Sequence, residues 1–312
     1  MVATAARNDR PTPLVACPGR ARLLRTPMGH AWHDLPSELR TGIEERIGPV
    51  ARATPPAAGT VSDFSALLDA ADGPAFCKAV REDNAKAWMH RLESAVNSVL
   101  PPGIGPRLLW TVEAAGWLAL GFERAPGRHA DLSPGSADLP LVARTLETLA
   151  ETLTPAPPLR TLRLADRWSG QRFWCTLGER HRDRLDPWVV EHLDTLAFAE
   201  REAPGLIDGN TLVHTDLTGP NLLVEGSTVQ VVDWAFPAPG AAWVDTAYLV
   251  IRLIQTGHTP QEAERWADSV SMWRAASPWA ITTFVAALAG LWTLRADALG
   301  AHGLAWLRHR LG

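Results

Sequence analysis

The stretch VHTDLTGPNLLV, residues 213–224, sets a histidine, an aspartate and an asparagine at fixed offsets: His214, Asp216 and Asn221. A second aspartate, Asp233, follows in VVDWA. Carboxylate and carboxamide oxygens are hard ligands of the kind Mg2+ takes. A carboxylate kept off the metal accepts a proton from a hydroxyl. That division of labour serves phosphoryl transfer, which needs positioning and charge neutralisation more than covalent chemistry. The plainer alternative is a Gly219-Pro220 turn decorated with a surface aspartate.

These residues need a frame. Apolar runs around Leu212, 222–224 and 229–232 read as short strands, and Gly226-Ser227 turns the last two into a hairpin. The hairpin puts Asp216 and Asn221 in one loop and Asp233 at the end of the returning strand. Upstream, LPSELRTGIEERI has helical spacing. VARAT, FSALLDA and AFCKAV read as strands, with DAADGPAFC as a hairpin. A helix is expected near 84–100, stopped by Pro101-Pro102, and RLLWTVEAAGWLALGFE gives a further strand pair. The first 124 or so residues thus form a small sheet with one inserted helix. The remainder is mostly helical, with starts marked by Asp138, Asp186-Pro187, the capping box Thr259-Pro260-Gln261-Glu262 and Ser277-Pro278. The uncharged stretch 275–294 is long enough to span a bilayer. Ser277, Pro278, Thr282, Thr283 and Gly290 dilute it, so it reads as a core helix and not a membrane segment.

Composition narrows the class. With 46% hydrophobic and 21% charged residues among 312, the chain is of the soluble globular type. A net charge of -4 gives no footprint for nucleic acid. Cys17, Cys77 and Cys175 are too scattered for zinc or a disulfide framework, which points to a reducing cytoplasm. The first residues lack an apolar core for a signal peptide and read as a mobile arm. Arginine is the default cation; the only lysines are Lys78 and Lys86. A lysine inside the apolar strand AFCKAV therefore asks for a purpose.

HTDLTGPN followed by VVDWA resembles the catalytic core of the aminoglycoside phosphotransferase family, the small-molecule branch of the protein-kinase-like fold. The family pattern is H-x-D-x-x-x-x-N, a hairpin, then a metal-binding aspartate, met here by His214, Asp216, Asn221 and Asp233. The resemblance implies a two-lobed α+β fold: an arm over 1–34, a nucleotide-binding antiparallel sheet lobe over 35–124 and a larger helical lobe over 125–312. It implies ATP or GTP as donor, Mg2+ on Asn221 and Asp233, Asp216 as base and a small-molecule hydroxyl as acceptor. Lys78 would hold the nucleotide phosphates, fixed by a helix glutamate; Glu93 fits that place better than Glu82, which stands at the helix start. In LGFERAPGRHADL, backbone groups near Phe122 to Arg124 would meet the adenine edge. Asp131 would reach ribose or substrate, or serve only as a loop or cap residue. Asp245 would cap the next helix or hold the catalytic loop, and His214 would be a scaffold residue in place of a base. The departure is TPPAAGTVSDF, where the family's phosphate loop often carries more glycine and Gly59 stands alone. It leaves the choice of ATP or GTP open and motivates an alternative, a catalytically weak kinase-like nucleotide-binding module. A metal-dependent hydrolase using His214, Asp216 and Asp233 would leave Lys78 without a role.

Only eleven residues separate Asp233 from Asp245, too few for a long activation segment that presents a peptide. The acceptor is therefore expected to be a small molecule. After Asp245 the acids Glu262, Glu264, Asp268 and Asp297 face Arg252, Arg265, Arg274, Arg295, Arg308 and Arg310. That balance does not suit a polycation. A less cationic alcohol is expected: another antibiotic, a sugar-like metabolite or an amino alcohol.

Overall fold

Strand alternation decides which way Lys78 faces. In the computed structural model, which describes residues 30–56 and 62–312, the first lobe is built on strands β1 (Val50–Thr54), β2 (Phe64–Ala70), β3 (Gly73–Arg81), β4 (Leu108–Ala114) and β5 (Trp117–Glu123). They form one antiparallel sheet in the order β1-β2-β3-β5-β4. Successive side chains on a strand point to opposite faces. Ala75, Cys77 and Ala79 of β3 face a core shared with Leu39, Ile43 and Ile47 of α1 (Ser37–Ile47). Phe76 and Val80 belong to the opposite face, with Leu118, Leu120, Phe122 and Ala87 of α2 (Ala87–Asn97). Lys78 shares that second face, toward α2.

The lobe begins before residue 35. The His30 amide donates to the Asp63 carbonyl at 2.9 Å, and Trp32 is buried with its ring 6.1 Å from that of Phe64. Trp32, inside the expected arm, is thus packed, because the indole has an aromatic wall to cover. Residues 1–29 of the expected arm lie outside the described residues, as does Gly59 with most of its loop.

The second lobe follows a short link. β6 (Arg128–His129) joins β8 (Leu222–Glu225) and β9 (Thr228–Val231) in one small sheet, while β7 (Thr211–Val213) pairs with β10 (Ala238–Gly240). The helices are α3 (Leu139–Thr152), α4 (Leu164–Trp168), α5 (Phe173–Arg180), α6 (Pro187–Leu206), α7 (Val244–Gln255), α8 (Pro260–Ala267), α9 (Ser271–Ala275), α10 (Pro278–Leu294) and α11 (Leu299–Leu311). α10 lies at the centre, against α5, α6 and α11, and is buried over most of its length. No described helix is long and apolar enough to cross a membrane.

The helix starts mostly follow their local chemistry. Asp186 accepts the Trp188 amide, and Thr259 with Glu262 closes a reciprocal capping box. Asp138 differs. It stands at the start of α3, but its buried carboxylate takes a bidentate pair from Arg128 at 2.5 and 2.7 Å and the Asp131 amide at 2.8 Å. Two-pronged binding to a guanidinium outcompetes a cap to a neutral amide. The link itself needs a glycine at Gly127: its φ is +99°, and a Cβ there would sit 2.4 Å from the Val224 carbonyl oxygen. Gly127→Ala is expected to destabilise the fold by about 1–3 kcal/mol; equilibrium denaturation checks this.

Candidate active site

The carboxylate of Asp245, at the start of α7, accepts the His214 amide at 2.8 Å and the Thr215 amide at 2.9 Å. Those bonds hold an uncommon backbone. Thr215 has φ +66°, a left-handed conformation that a β-branched residue seldom adopts. Its hydroxyl donates to the Phe236 carbonyl at 2.6 Å, fixing the turn from the other side. Asp216 therefore leaves the loop at a set angle. Asp245 is the brace for that loop, one of the two roles expected for it.

His214 is scaffold by its bonds. Nε2 lies 3.0 Å from the Val232 carbonyl, which only accepts, so Nε2 carries the proton. Nδ1 then accepts the Asp216 amide at 3.3 Å. The neutral ring ties the Asp216 loop to the residue preceding Asp233. Burial pushes its pKa down to about 4.

Asn221 closes the loop from the other end. Its Nδ2 donates to the Asp216 carbonyl at 2.9 Å, and its own carbonyl accepts the Val232 amide at 3.0 Å. The carboxamide nitrogen is thus turned inward, which leaves Oδ1 as the atom that could face a metal. Asp233, at φ +67°, follows β9 directly. Its Oδ1 is 2.6 Å from Lys78 Nζ, and Lys78 Nζ is 2.8 Å from Glu93 Oε1. Three residues from β3, α2 and the β9 hairpin meet in one ion cluster across the two lobes. Burial opposes the charge on Lys78, but Glu93 and Asp233 overcome it and hold the ammonium protonated above its usual range. Glu93 is raised by burial against the pull of Lys78. For Asp233 burial is outweighed by Lys78, and its carboxyl stays below the usual range.

The donor set fits Mg2+. Among the described residues no three His, Cys, Asp or Glu side chains converge as a metal cage. Two protein oxygens, from Asn221 and Asp233, are the number Mg2+ uses when substrate phosphates and water supply the rest.

The other expected site residues are placed as follows. Phe122 is buried inside the sheet, with Phe76 and Leu108 as Cα partners, and its ring lies 5.9 Å from Lys78 Nζ. Arg124 is exposed just past β5, at the start of the link. Glu82 is turned outward and pairs with Arg91 at 2.6 Å, so Glu93 alone of the two meets Lys78. Asp131 accepts the Ser133 amide at 2.9 Å, the loop role.

Sequence reasoning missed five residues around the site. Trp88 of α2 contacts Phe236 with centroids 5.4 Å apart, and the Arg167 guanidinium lies 5.0 Å over the same ring. His90, one turn before Glu93, is buried with Nε2 2.9 Å from the Ser62 hydroxyl. Arg252 Nη2 stands 3.6 Å from Asp216 Oδ1. Arg252 lies seven residues after Asp245, and that helical spacing was the available signal. Two cavities, of about 290 Å³ beside Trp266 and about 640 Å³ beside Phe198, are lined by none of these residues.

The buried histidines set an acid response. His90, like His214, is pushed down to about 4 from an ordinary 6.5, burial being the main cause in both. As pH falls through 6.5 the unfolded chain binds two protons that the folded chain refuses until about pH 4. Stability from these rings is therefore present above pH 6.5 and lost toward pH 4. Asp245 runs the other way: burial raises its carboxyl from 3.8 to about 6, so acid favours its folded form over part of the same window. The carboxyls of Asp233 and Asp138, held below their usual range by Lys78 and Arg128, act with the rings, against Glu93 and Glu200, which burial raises. The thermal midpoint is expected to fall steadily on acidification across this window, and a rise would contradict it.

A profile of the phosphotransferase enzyme family matches residues 54–279. The chain belongs to that family and is an enzyme of its small-molecule kinase class. Among solved structures, a thermostable mutant of aminoglycoside phosphotransferase APH(4)-Ia, in ternary complex with ADP and hygromycin B, has a TM-score of 0.55 at 14% identity. That match covers 87% of this chain and 96% of the other. Choline kinase LicA from Streptococcus pneumoniae has a TM-score of 0.52 at 14% identity, covering 86% and 96%. Spectinomycin phosphotransferase APH(9)-Ia, in complex with ADP and spectinomycin, has a TM-score of 0.50 at 11% identity, covering 87% and 93%. These likenesses establish the two-lobed, kinase-like α+β fold. No curated protein matches the sequence.

Proposed function

We propose that the enzyme transfers the γ-phosphate of ATP or GTP to a hydroxyl of a small molecule, with Asp216 as the base. The observation that carries this is the Lys78–Glu93–Asp233 cluster, which joins residues from both lobes beside the braced Asp216 loop. The ADP in two of the structural neighbours supports a nucleotide donor. Hygromycin B, spectinomycin and the choline of the third support a small acceptor. A cytoplasmic enzyme fits that nucleotide supply and the free thiols of Cys77 and Cys175.

Lys78, held by Glu93, binds and orients the nucleotide phosphates. Asn221 and Asp233 would hold Mg2+, which when bound neutralises charge on phosphate oxygens. Asp216 orients the acceptor hydroxyl and takes its proton as the new oxygen–phosphorus bond forms and the bond to the nucleoside diphosphate breaks. His214 and Asp245 do no chemistry in this scheme; they fix the backbone from which Asp216 projects.

The test is a screen for ADP and GDP release over hydroxylated antibiotics and metabolites, with Asp216→Ala as blank. Acceptor-dependent release by the wild type alone supports the reading. Nucleotide binding by calorimetry without release on any acceptor, or on water, would favour the weak binding module instead.

A further inference from the structure

Helix α7 turns one face to the catalytic loop. Asp245, Tyr248 and Arg252 lie on it at helical spacing. Asp245 braces the backbone, and Arg252 reaches the Asp216 carboxylate itself. The guanidinium of Arg252 is poorly matched for a buried cation. Its side chain is 19% exposed. Nη2 stands 3.6 Å from Asp216 Oδ1, beyond ordinary hydrogen-bond length, and Nη1 donates to Gln255 Oε1 at 3.2 Å. Nε is buried and has no hydrogen-bond partner among the described residues. Burial pushes this group below its usual range, with Asp216 and Asp297 only partly opposing. Asp216, Asp245, Arg167 and Arg252 all exert their charge on Tyr248, the only tyrosine of the chain. The surroundings of the base thus hold two cations and one further acid, Asp245.

Four of the other arginines of the C-terminal stretch bond elsewhere, Arg265 among them to the Gln261 carbonyl at 3.4 Å. Arg308 pairs with Asp186 at 2.7 Å, Arg310 with Glu264, and Arg274 donates to the Asp268 carbonyl. Arg252 instead pairs with Asp216. An acceptor must bring its hydroxyl within hydrogen-bond reach of Asp216, and so passes beside this guanidinium. A polycation there meets like charge, whereas an oxyanion can share the outer N–H groups of the guanidinium.

The geometry points to Arg252 as the specificity-determining residue of the acceptor site: it binds a carboxylate or phosphate carried by the alcohol close to its reactive hydroxyl. This rests on the phosphotransferase reading above and names the class of its acceptor. One guanidinium serves two anions, Asp216 on one edge and the acceptor's oxyanion on the other.

The experiment uses two size-matched series with Mg-ATP and the full chain: glycerate, glycerol phosphate, glycerol and serinol; gluconate, glucose phosphate, glucose and glucosamine. The acidic members are expected to support ADP release with kcat/KM about 10- to 100-fold above their neutral and amine counterparts, the size of a charge-assisted hydrogen bond. Whether glycerate and gluconate or the two phosphates lead tells carboxylate from phosphate. Arg252→Gln loses the preference through the acceptor's KM, with the KM for Mg-ATP unchanged. Arg252→Lys keeps part of it, and Arg252→Glu shifts it toward serinol and glucosamine. If Arg252→Glu fails to fold, the Gln and Lys variants carry the comparison. The proposal is overturned if the amines or neutral alcohols lead in the wild type. It is equally overturned if the acidic alcohols release no more ADP than water does, or if the ranking is the same in Arg252→Gln as in the wild type. Failure of the phosphotransferase reading looks different: no calorimetric binding of Mg-ATP and no ADP release with any acceptor or water, which removes both.

Discussion

Asp216→Asn binds Mg-ATP as the wild type does and transfers phosphate about 10²- to 10⁴-fold more slowly, the usual loss when a general base is removed. The structure gives three reasons to expect so clean a separation. The backbone at Asp216 is held by bonds from its neighbours. Asp245 accepts the two preceding amides, His214 Nδ1 accepts the Asp216 amide, and Asn221 Nδ2 donates to its carbonyl. The Asp216 side chain is 58% exposed, so its replacement leaves the core intact. The nucleotide cluster of Lys78, Glu93 and Asp233 does not draw on it. An amide of the same shape keeps the hydroxyl's hydrogen-bond partner and removes the proton acceptor together with the charge that faces Arg252. Wild-type turnover in Asp216→Asn would take the base role away from this residue.

Lys78→Met is expected to lose both transfer and stability. Lys78 and Glu93 have side chains only 13% and 5% exposed, so removing the ammonium strands a buried carboxylate. Breaking a buried pair from one side costs about 3–5 kcal/mol. The second contact, to Asp233, adds less, because that carboxylate is 35% exposed and solvent screens it. The double variant Lys78→Met/Glu93→Gln removes the stranded charge and should recover most of the lost stability while recovering no transfer. Denaturant unfolding measures the first and nucleotide release the second. If the single variant were as stable as the wild type, the cluster would be a surface contact. If the double variant were active, Lys78 would have no part in binding phosphate.

Local pattern revealed the residues whose geometry is local. His214, Asp216 and Asn221 share one loop, and a two-residue turn fixes where Asp233 returns. Lys78 stood out as a rare lysine inside an apolar strand, and Glu93 was legible because a helix follows that strand. Asp245 was legible as a brace from its place at a helix start. The rest depends on packing between distant segments, which no local period encodes. Arg252 looked like one of six arginines until the packing of α7 carried it to Asp216. Trp88 and Arg167 meet Phe236 from different lobes. Asp138 read as a cap because cap chemistry is local, whereas its Arg128 partner arrives from the inter-lobe link. Trp32 read as part of an arm because one buried indole leaves no periodic trace.

The central claim is that this cluster moves phosphate from a nucleotide to an alcohol with Asp216 taking the proton. A single-turnover experiment with γ-labelled ATP, Mg2+ and the best acceptor from the screen tests it most directly. Label should appear on the acceptor in the wild type, and far more slowly in Asp216→Asn at equal nucleotide occupancy. Label found only in inorganic phosphate, or reaching the acceptor at the same rate in both proteins, would contradict the account.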